Sequence, residues 1–187
     1  SGNGLHSSFW MDHLGPEYID SAFVWAHRAD PAAKLYLNEW ATETIGPKSN
    51  AILALAQALK GRGVPIDGVG FQMHLSHFWP HPTSEQMQTN LIRFSNAGFD
   101  IRITELDSDI ADTAGTAALI EQAVVYRNVL DACLRTPRCL EVTTWGFTDK
   151  YHWVPQQFPG YGRALPFDAN YQPKPAFDSL IVRLGRP

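Results

Sequence analysis

The segment I-D-G-V-G-F-Q-M-H-L-S-H-F-W-P-H-P-T-S-E-Q-M-Q-T-N-L-I-R-F-S-N-A-G-F-D-I-R-I-T-E, residues 66–105, holds a complete strand–helix–strand unit. Ile66 to His74 reads as a short buried strand. Thr83, with Gln86 three residues on, forms a capping-box pattern, and Met87, Leu91 and Phe94 then fall on one helical face. Gly98 stops that helix, and Asp100 to Glu105 reads as the next strand. Two strands joined through a helix favour parallel pairing by a right-handed crossover.

The same alternation extends in both directions. Ile19, Ala22, Phe23 and Ala26 recur at helical spacing, and Ala33 to Asn38 reads as a strand. Pro47 suits a first helical position, and Ile52, Leu55, Ala56 and Leu59 repeat the helical pattern before Gly61 and Gly63. Downstream, Leu119, Ala123, Tyr126, Leu130 and Leu134 mark a longer helix, and Glu141 to Trp145 a fourth strand. A loop rich in proline, glycine and aromatics covers about 147–173, and a last helix about 175–184. The class is α/β with a parallel sheet. No glycine-rich phosphate loop follows any strand, which argues against a doubly wound nucleotide fold. Four strand–helix units amount to half of a (β/α)8 barrel. A complete barrel takes about 250 residues and rarely fewer than 200; this chain has 187.

Composition narrows the function. Fifteen Lys and Arg against 19 Asp and Glu give a net charge of −4, which disfavours nucleic acid or an anionic membrane as a partner. With 44% hydrophobic residues the chain can fill a core, yet no run approaches the roughly 18 apolar residues of a membrane span. No signal peptide opens the chain. Six Trp, six Tyr and ten Phe suit a protein that offers flat rings to a sugar-like ligand. Cys133 and Cys139 flank a Thr-Pro turn at a spacing foreign to redox or zinc motifs. They read either as a small disulfide loop, suited to an oxidising compartment, or as two free thiols.

Working residues of such barrels lie at the C-terminal ends of the strands. Those ends are unusually polar here: Asn38-Glu39-Trp40, Gln72-Met73-His74, Thr104-Glu105-Leu106-Asp107 and Trp145-Gly146-Phe147-Thr148-Asp149.

The stretches I66-D-G-V-G-F-Q-M-H-L75, I101-R-I-T-E-L-D107, T143-T-W-G-F-T-D149 with Trp153, and L165-P-F-D-A-N-Y-Q-P-K-P-A-F177 resemble family 10 glycoside hydrolases, the retaining endo-1,4-β-xylanases. S8-F-W, L14-G-P-E-Y-I-D20 and L35-Y-L-N-E39 are similar to the same family, so the resemblance runs almost end to end. It implies a catalytic nucleophile at Glu105, a histidine at His74 that orients it, and cleft-lining polar groups at Asn38 and Gln72. It also implies sugar-walling indoles at Trp145 and Trp153, upstream of the cut. Trp40 stands where the family has a tyrosine, and Cys133 and Cys139 where many members carry a disulfide. The implied substrate is xylan and its oligosaccharides, the location extracellular, and no metal or organic cofactor is called for. Chemically the set is coherent: attack at an oxocarbenium-like carbon needs an ionised carboxylate, and indoles cover the apolar faces of pyranose rings.

A retaining glycosidase needs a second carboxyl group as acid and base. In the resemblance that glutamate precedes residue 1, so residues 1–187 correspond to the C-terminal half of the catalytic barrel, strands 5 to 8, and Ser1 to Phe9 to the loop after it. Asn38-Glu39 mimics the family's acid/base dipeptide, but one strand separates Glu39 from Glu105 where the family has two; Glu39 aligns with the aspartate of an N-D-Y segment instead. Asp107 and Asp149 read as structural partners of backbone or arginine groups. A half barrel exposes two sheet edges and an inner face. It is therefore expected to pair with an N-terminal half or with a second copy of itself. A catalytically silent xylan-binding module is the alternative function; a cellulase would fit the chemistry but not the motifs.

Overall fold

The computed structural model describes residues 5–185. Two helices, α1 (Phe9–Leu14) and α2 (Tyr18–Ala29), precede strand β1 (Tyr36–Glu39). There follow α3 (Pro47–Gly61), β2 (Gly68–Phe71), β3 (His74–Leu75) and α4 (Ser84–Asn96). The chain continues through β4 (Asp100–Ser108), β5 (Ile110–Ala111), α5 (Thr116–Leu134) and β6 (Cys139–Thr144). A 3-10 turn at Asp149–Tyr151, α6 (Val154–Gln157), β7 (Tyr161–Gly162) and α7 (Pro175–Arg183) complete it. No helix among the described residues is long and apolar enough to cross a membrane.

The main sheet is parallel throughout, in the order β1-β2-β4-β6, with β3 pairing beside β4. This is a partial (β/α)8 barrel. Its outer face is apolar: Val69, Phe71, Ile101, Ile103 and Leu106 are fully buried beneath Leu59, Met87, Leu91, Phe94 and Tyr126 of α3, α4 and α5. The inner face is polar. Tyr36, Arg102 and Glu141 share one level, with the Arg102 guanidinium 4.8 Å from the Tyr36 ring centre and its Nη1 2.5 Å from Glu141 Oε2. Asn38, Gly70 and Thr104 share the next, where Thr104 Oγ1 donates to Asn38 Oδ1 at 2.7 Å. Glycines make room for these side chains. A Cβ on Gly68 would lie 2.2 Å from the Asp100 carbonyl and 2.4 Å from the Tyr36 ring.

The structure sharpens several sequence expectations. Strand β1 starts at Tyr36 rather than Ala33, because Asp30 Oδ1 accepts from Ala32 N at 2.9 Å and the Asp30 carbonyl from Ala33 N at 3.3 Å, which makes that stretch a turn. The expected strand 66–74 breaks in two at Met73, whose φ of 62° takes it out of the extended region. The capping box on α4 is present: Gln86 N donates to Thr83 Oγ1 at 3.3 Å and Thr83 N to Gln86 Oε1 at 2.8 Å. Cys133 and Cys139 form a disulfide. They sit not in a loop but at the last turn of α5 and the first residue of β6, tying helix to strand.

The segment 147–173 is more structured than its composition suggests. Tyr126 Oη donates to the Ala164 carbonyl at 2.7 Å, Lys174 Nζ lies 2.9 Å from Asp149 Oδ2, and β7 pairs antiparallel with β5. The Lys174–Asp149 pair is buried, so the loop is anchored from beneath. Both ends of the sheet stay open among the described residues. Beside β1, α2 exposes Ala22, Trp25, Ala26 and Ala29 on one face; beside β6, Leu140, Val182 and Leu184 are exposed.

Gly68→Ala is expected to destabilise the chain by about 1–3 kcal/mol through forced overpacking. Gly61→Ala, at the end of α3 with nothing within 4 Å of the added Cβ, should instead stabilise by about 0.5–1 kcal/mol. Urea unfolding of the two variants checks both signs.

Candidate active site

Glu105 and His74 meet because of two local irregularities. Along β4, Ile103 pairs with Val142 and Leu106 with Thr144, so three steps on β4 face two on β6. This bulge inserts one residue and reverses the side-chain parity. Before it, Arg102 and Thr104 point to the inner face; after it, Glu105 and Asp107 do, while Leu106 joins Ile101 and Ile103 in the core. On the neighbouring segment, the left-handed turn at Met73 shifts β3 so that His74 pairs with Asp107. Main-chain bonds hold the junction: Gln72 N donates to the Glu39 carbonyl and Glu105 N to the Gln72 carbonyl, each at 3.1 Å. Gln72 thus stands half-buried between β1 and β4 at the same rim.

Both oxygens of Glu105 are held. Asn38 Nδ2 donates to Oε1 at 2.7 Å, and His74 Nε2 lies 3.2 Å from Oε2. The other ring nitrogen of His74 lies 2.9 Å from Asp107 Oδ2. An imidazole with a carboxylate at each nitrogen is best satisfied as the doubly protonated cation. Burial alone would push His74 down, but the hydrogen bond and charge of Asp107, with the charge and hydrogen bond of Glu105, outweigh it and hold its pKa above the ordinary value. Burial likewise would raise Asp107; hydrogen bonds from His152 and His74, the His74 charge and the Trp153 indole reverse this and hold it below the usual carboxylate range. Trp153 Nε1 donates to Asp107 Oδ2 at 2.8 Å, and its ring meets His74 edge to face at 5.3 Å.

The expected site residues therefore converge. Asn38, His74, Glu105 and Trp153 form one connected network with Gln72 beside it. Trp145 follows β6, half-exposed, its main-chain N–H donating to the Leu106 carbonyl at 3.1 Å. Trp40 follows β1 with Lys48 Nζ 3.8 Å from its ring centre. Glu39 is engaged elsewhere: Lys48 Nζ lies 3.0 Å from Oε1, which also accepts from Trp40 N. It is no counterpart to Glu105. Asp107 departs from its expected role, binding His74, Trp153 and His152 rather than backbone or arginine. Asp149 binds Leu165 N at 2.8 Å and Lys174.

The sequence reading missed Thr104, which orients the Asn38 amide, and buried His152, which lies 3.4 Å from Asp107. It also missed a cavity of about 860 Å³ that reaches from His74 and Trp153 to Trp40, Glu43, Trp79 and Phe158. Position Thr104, two residues beyond Arg102 and alternating with the apolar Ile103, and Asp107, two beyond Glu105, each carried a signal for a shared face; it is Glu105 that only the bulge brings to that side.

The model of glycosyl hydrolase family 10 matches residues 1–182. The chain belongs to this family. It is 45% identical over 175 residues to endo-1,4-beta-xylanase B of Thermotoga neapolitana, covering 92% of this chain and 50% of that protein. It is 41% identical to endo-1,4-beta-xylanase A of Phanerodontia chrysosporium, covering 92% and 41%. Among solved structures, xylanase 10B of Thermotoga petrophila in complex with xylobiose superposes with a TM-score of 0.92 at 41% identity, covering 98% of this chain and 56% of that one. The family 10 chain thus spans about half the length of the relatives it matches.

The cluster has a pH signature. Asp107, depressed in the fold, contributes stability above its unfolded pKa that is lost as pH falls through the folded value. His74, raised in the fold, contributes stability below its unfolded pKa that is lost as pH rises through the folded value. Stability from the pair therefore peaks between the carboxylate and imidazole ranges. Asp107→Asn should flatten both limbs, read from thermal melts between about pH 3 and pH 9.

Proposed function

We propose that this chain is the nucleophile-bearing half of a retaining endo-1,4-β-xylanase, acting on internal β-1,4-xylosidic bonds of xylan. The observation that carries the reading is Glu105, a carboxylate with one oxygen fixed by the Asn38 amide and the other by the His74–Asp107 pair. Nucleophilic attack needs such an ionised, oriented carboxylate. One Glu105 oxygen bonds to the anomeric carbon as the glycosidic bond breaks, and the departing oxygen takes a proton from an acid. Water, deprotonated by the same group, then releases the sugar with its configuration retained. His74 keeps Glu105 in place, and Trp145 and Trp153 cover the faces of the sugar upstream of the cut.

The acid lies outside this chain in our reading. Among the described residues Glu39 is paired with Lys48 and Asp107 with His74, so neither is offered as the proton donor. An N-terminal half-barrel supplies it, docking on the two open edges and completing the sheet; the relatives' extra length supports this. A homodimer would bring a second Glu105 and no acid. The Cys133–Cys139 bridge supports an oxidising, extracellular setting.

The test is reducing-sugar release from xylan by the chain alone and with the N-terminal half. We expect activity only for the pair. Glu105→Ala should lower its turnover by more than roughly 10³-fold while leaving sugar binding largely intact; a variant that keeps substantial turnover removes Glu105 from its role. Binding without turnover by the parent pair would favour the silent module. Trp145→Ala should weaken xylo-oligosaccharide binding by about 1–3 kcal/mol, measured by calorimetry.

A further inference from the structure

Asp107 is buried, so its charge has to be met by donors close at hand. Three aromatic side chains bring ring nitrogens to one of its oxygens, Oδ2: Trp153 Nε1 at 2.8 Å, His74 Nδ1 at 2.9 Å and His152 Nε2 at 3.4 Å. Other polar groups behind the site are committed elsewhere. The Tyr126 hydroxyl donates to the Ala164 carbonyl, and the Lys174 ammonium serves Asp149 and the Arg163 carbonyl. His152 and Trp153 are neighbours in sequence, and adjacent side chains on extended backbone point apart. These two converge because His152 is extended while Trp153 turns into the helical region.

The side chain of His152 is only 1% exposed, so it is no contact for a sugar in the cleft. Its second nitrogen shows which form the ring takes. Val154 N donates to Nδ1 at 3.4 Å. A main-chain amide can only donate, so Nδ1 presents a lone pair and the single ring proton sits on Nε2, aimed at Asp107. His74 is the opposite case, with a carboxylate at each nitrogen. One carboxylate oxygen thus meets two imidazoles in different situations, one a fixed neutral donor and the other a ring suited to carry charge. The titratable groups around them are His74 on β3, Glu105 on β4, Tyr126 on α5, whose hydroxyl feels the charges of Asp107 and Asp149, and the Asp149–Lys174 pair after β6.

We propose that His152 is a positioning residue of the hydrolase: a neutral imidazole, protonated on Nε2, that completes the donor shell of Asp107 and keeps this carboxylate charged as the partner of His74. The kinetic consequence rests on the hydrolase reading; the tautomer rests on the geometry alone. A hydrogen bond to the charged form of a carboxylate favours that form. Without the His152 donor, Asp107 takes up its proton at a higher pH and releases His74, and Glu105 loses one of its two supports.

The test compares His152→Phe, which keeps a flat ring and removes the donor, with His152→Gln, whose amide reaches about as far as Nε2. Both are assembled with the N-terminal half and assayed on nitrophenyl β-xylobioside between about pH 4 and pH 8. The acid limb of kcat/KM should move up by roughly half to one pH unit in His152→Phe, and His152→Gln should recover most of that shift. An unmoved limb in His152→Phe, or equal shifts in the two variants, overturns the proposal, because a ring that only fills space gives one or the other. The tautomer is read independently from nitrogen NMR spectra of the histidine-labelled parent, with the His152 signals identified by their loss in His152→Gln. A neutral ring protonated on Nε2 is expected at neutral pH; a ring protonated on Nδ1 overturns the proposal. If the assembled parent cuts nothing, the hydrolase reading fails, and the acid limb of thermal stability in the same variants decides this one. A limb raised by His152→Phe and restored by His152→Gln supports it; an unmoved limb overturns it.

Discussion

The ion cluster Glu105–His74–Asp107 is the constraint around which the C-terminal rim is arranged. The His74 ring bridges the two acids, with Asp107 at one nitrogen and Glu105 at the other, and, against the effect of burial, both neighbours hold its pKa above the ordinary value. Without His74, Glu105 and Asp107 would lie on one strand face with no group between them to offset their mutual repulsion. Asp107 is nearly fully buried, which leaves it dependent on the three donors around it: His74, Trp153 and His152. Those donors come from β3 and from the long segment after β6, so a single carboxylate ties two distant stretches to the strand that bears Glu105.

Backbone irregularity makes that cluster possible. A regular β4 would continue the alternation set by Ile101 and Ile103 and bury residue 105 beneath the helices. The bulge spares Glu105 this fate and sends Leu106 to the core instead. The positive φ at Met73 performs the matching adjustment on the other strand, while the Met73 side chain stays fully buried and anchors the turn. Non-glycine residues rarely adopt this backbone conformation, and where they do the surroundings must impose it. Packing on the outer face thus sustains the chemistry on the inner one.

Much of this was legible in the residues, for identifiable reasons. Helical spacing at Ile52, Ala56 and Leu59, the Thr83–Gln86 box and the polar strand ends are local signals, and each maps to an element or a rim residue in the structure. The apolar order at 101, 103 and 106, in place of 101, 103 and 105, is the trace of the bulge, recognisable only once the pairing with β6 is known. The cavity by Trp79 left no trace, because it depends on where a proline-rich loop is pinned. That pin joins His77 to Asp109, 32 residues apart, and no spacing rule links such a pair.

The chemistry of the inner face constrains how the sheet can be closed. Arg102 bonds Glu141 and Thr104 bonds Asn38 across the strands, and the Arg102 guanidinium packs on the Tyr36 ring. Covering that face with apolar side chains would strip water from the part-exposed Arg102 and Glu141 and leave their remaining polar atoms unsatisfied, at a cost of about 1–3 kcal/mol each. A closing half must therefore bring acceptors and donors to the middle and apolar surface only to the rims, where Ala22, Trp25 and Ala26 on one side and Leu140 and Val182 on the other stand open. Area at the rims drives such an association, and the polar layers select its register. In the reading proposed above, a second copy of this chain would set Arg102 and Glu141 against a repeat of their own pattern, whereas a different half can bring inner groups that complement them.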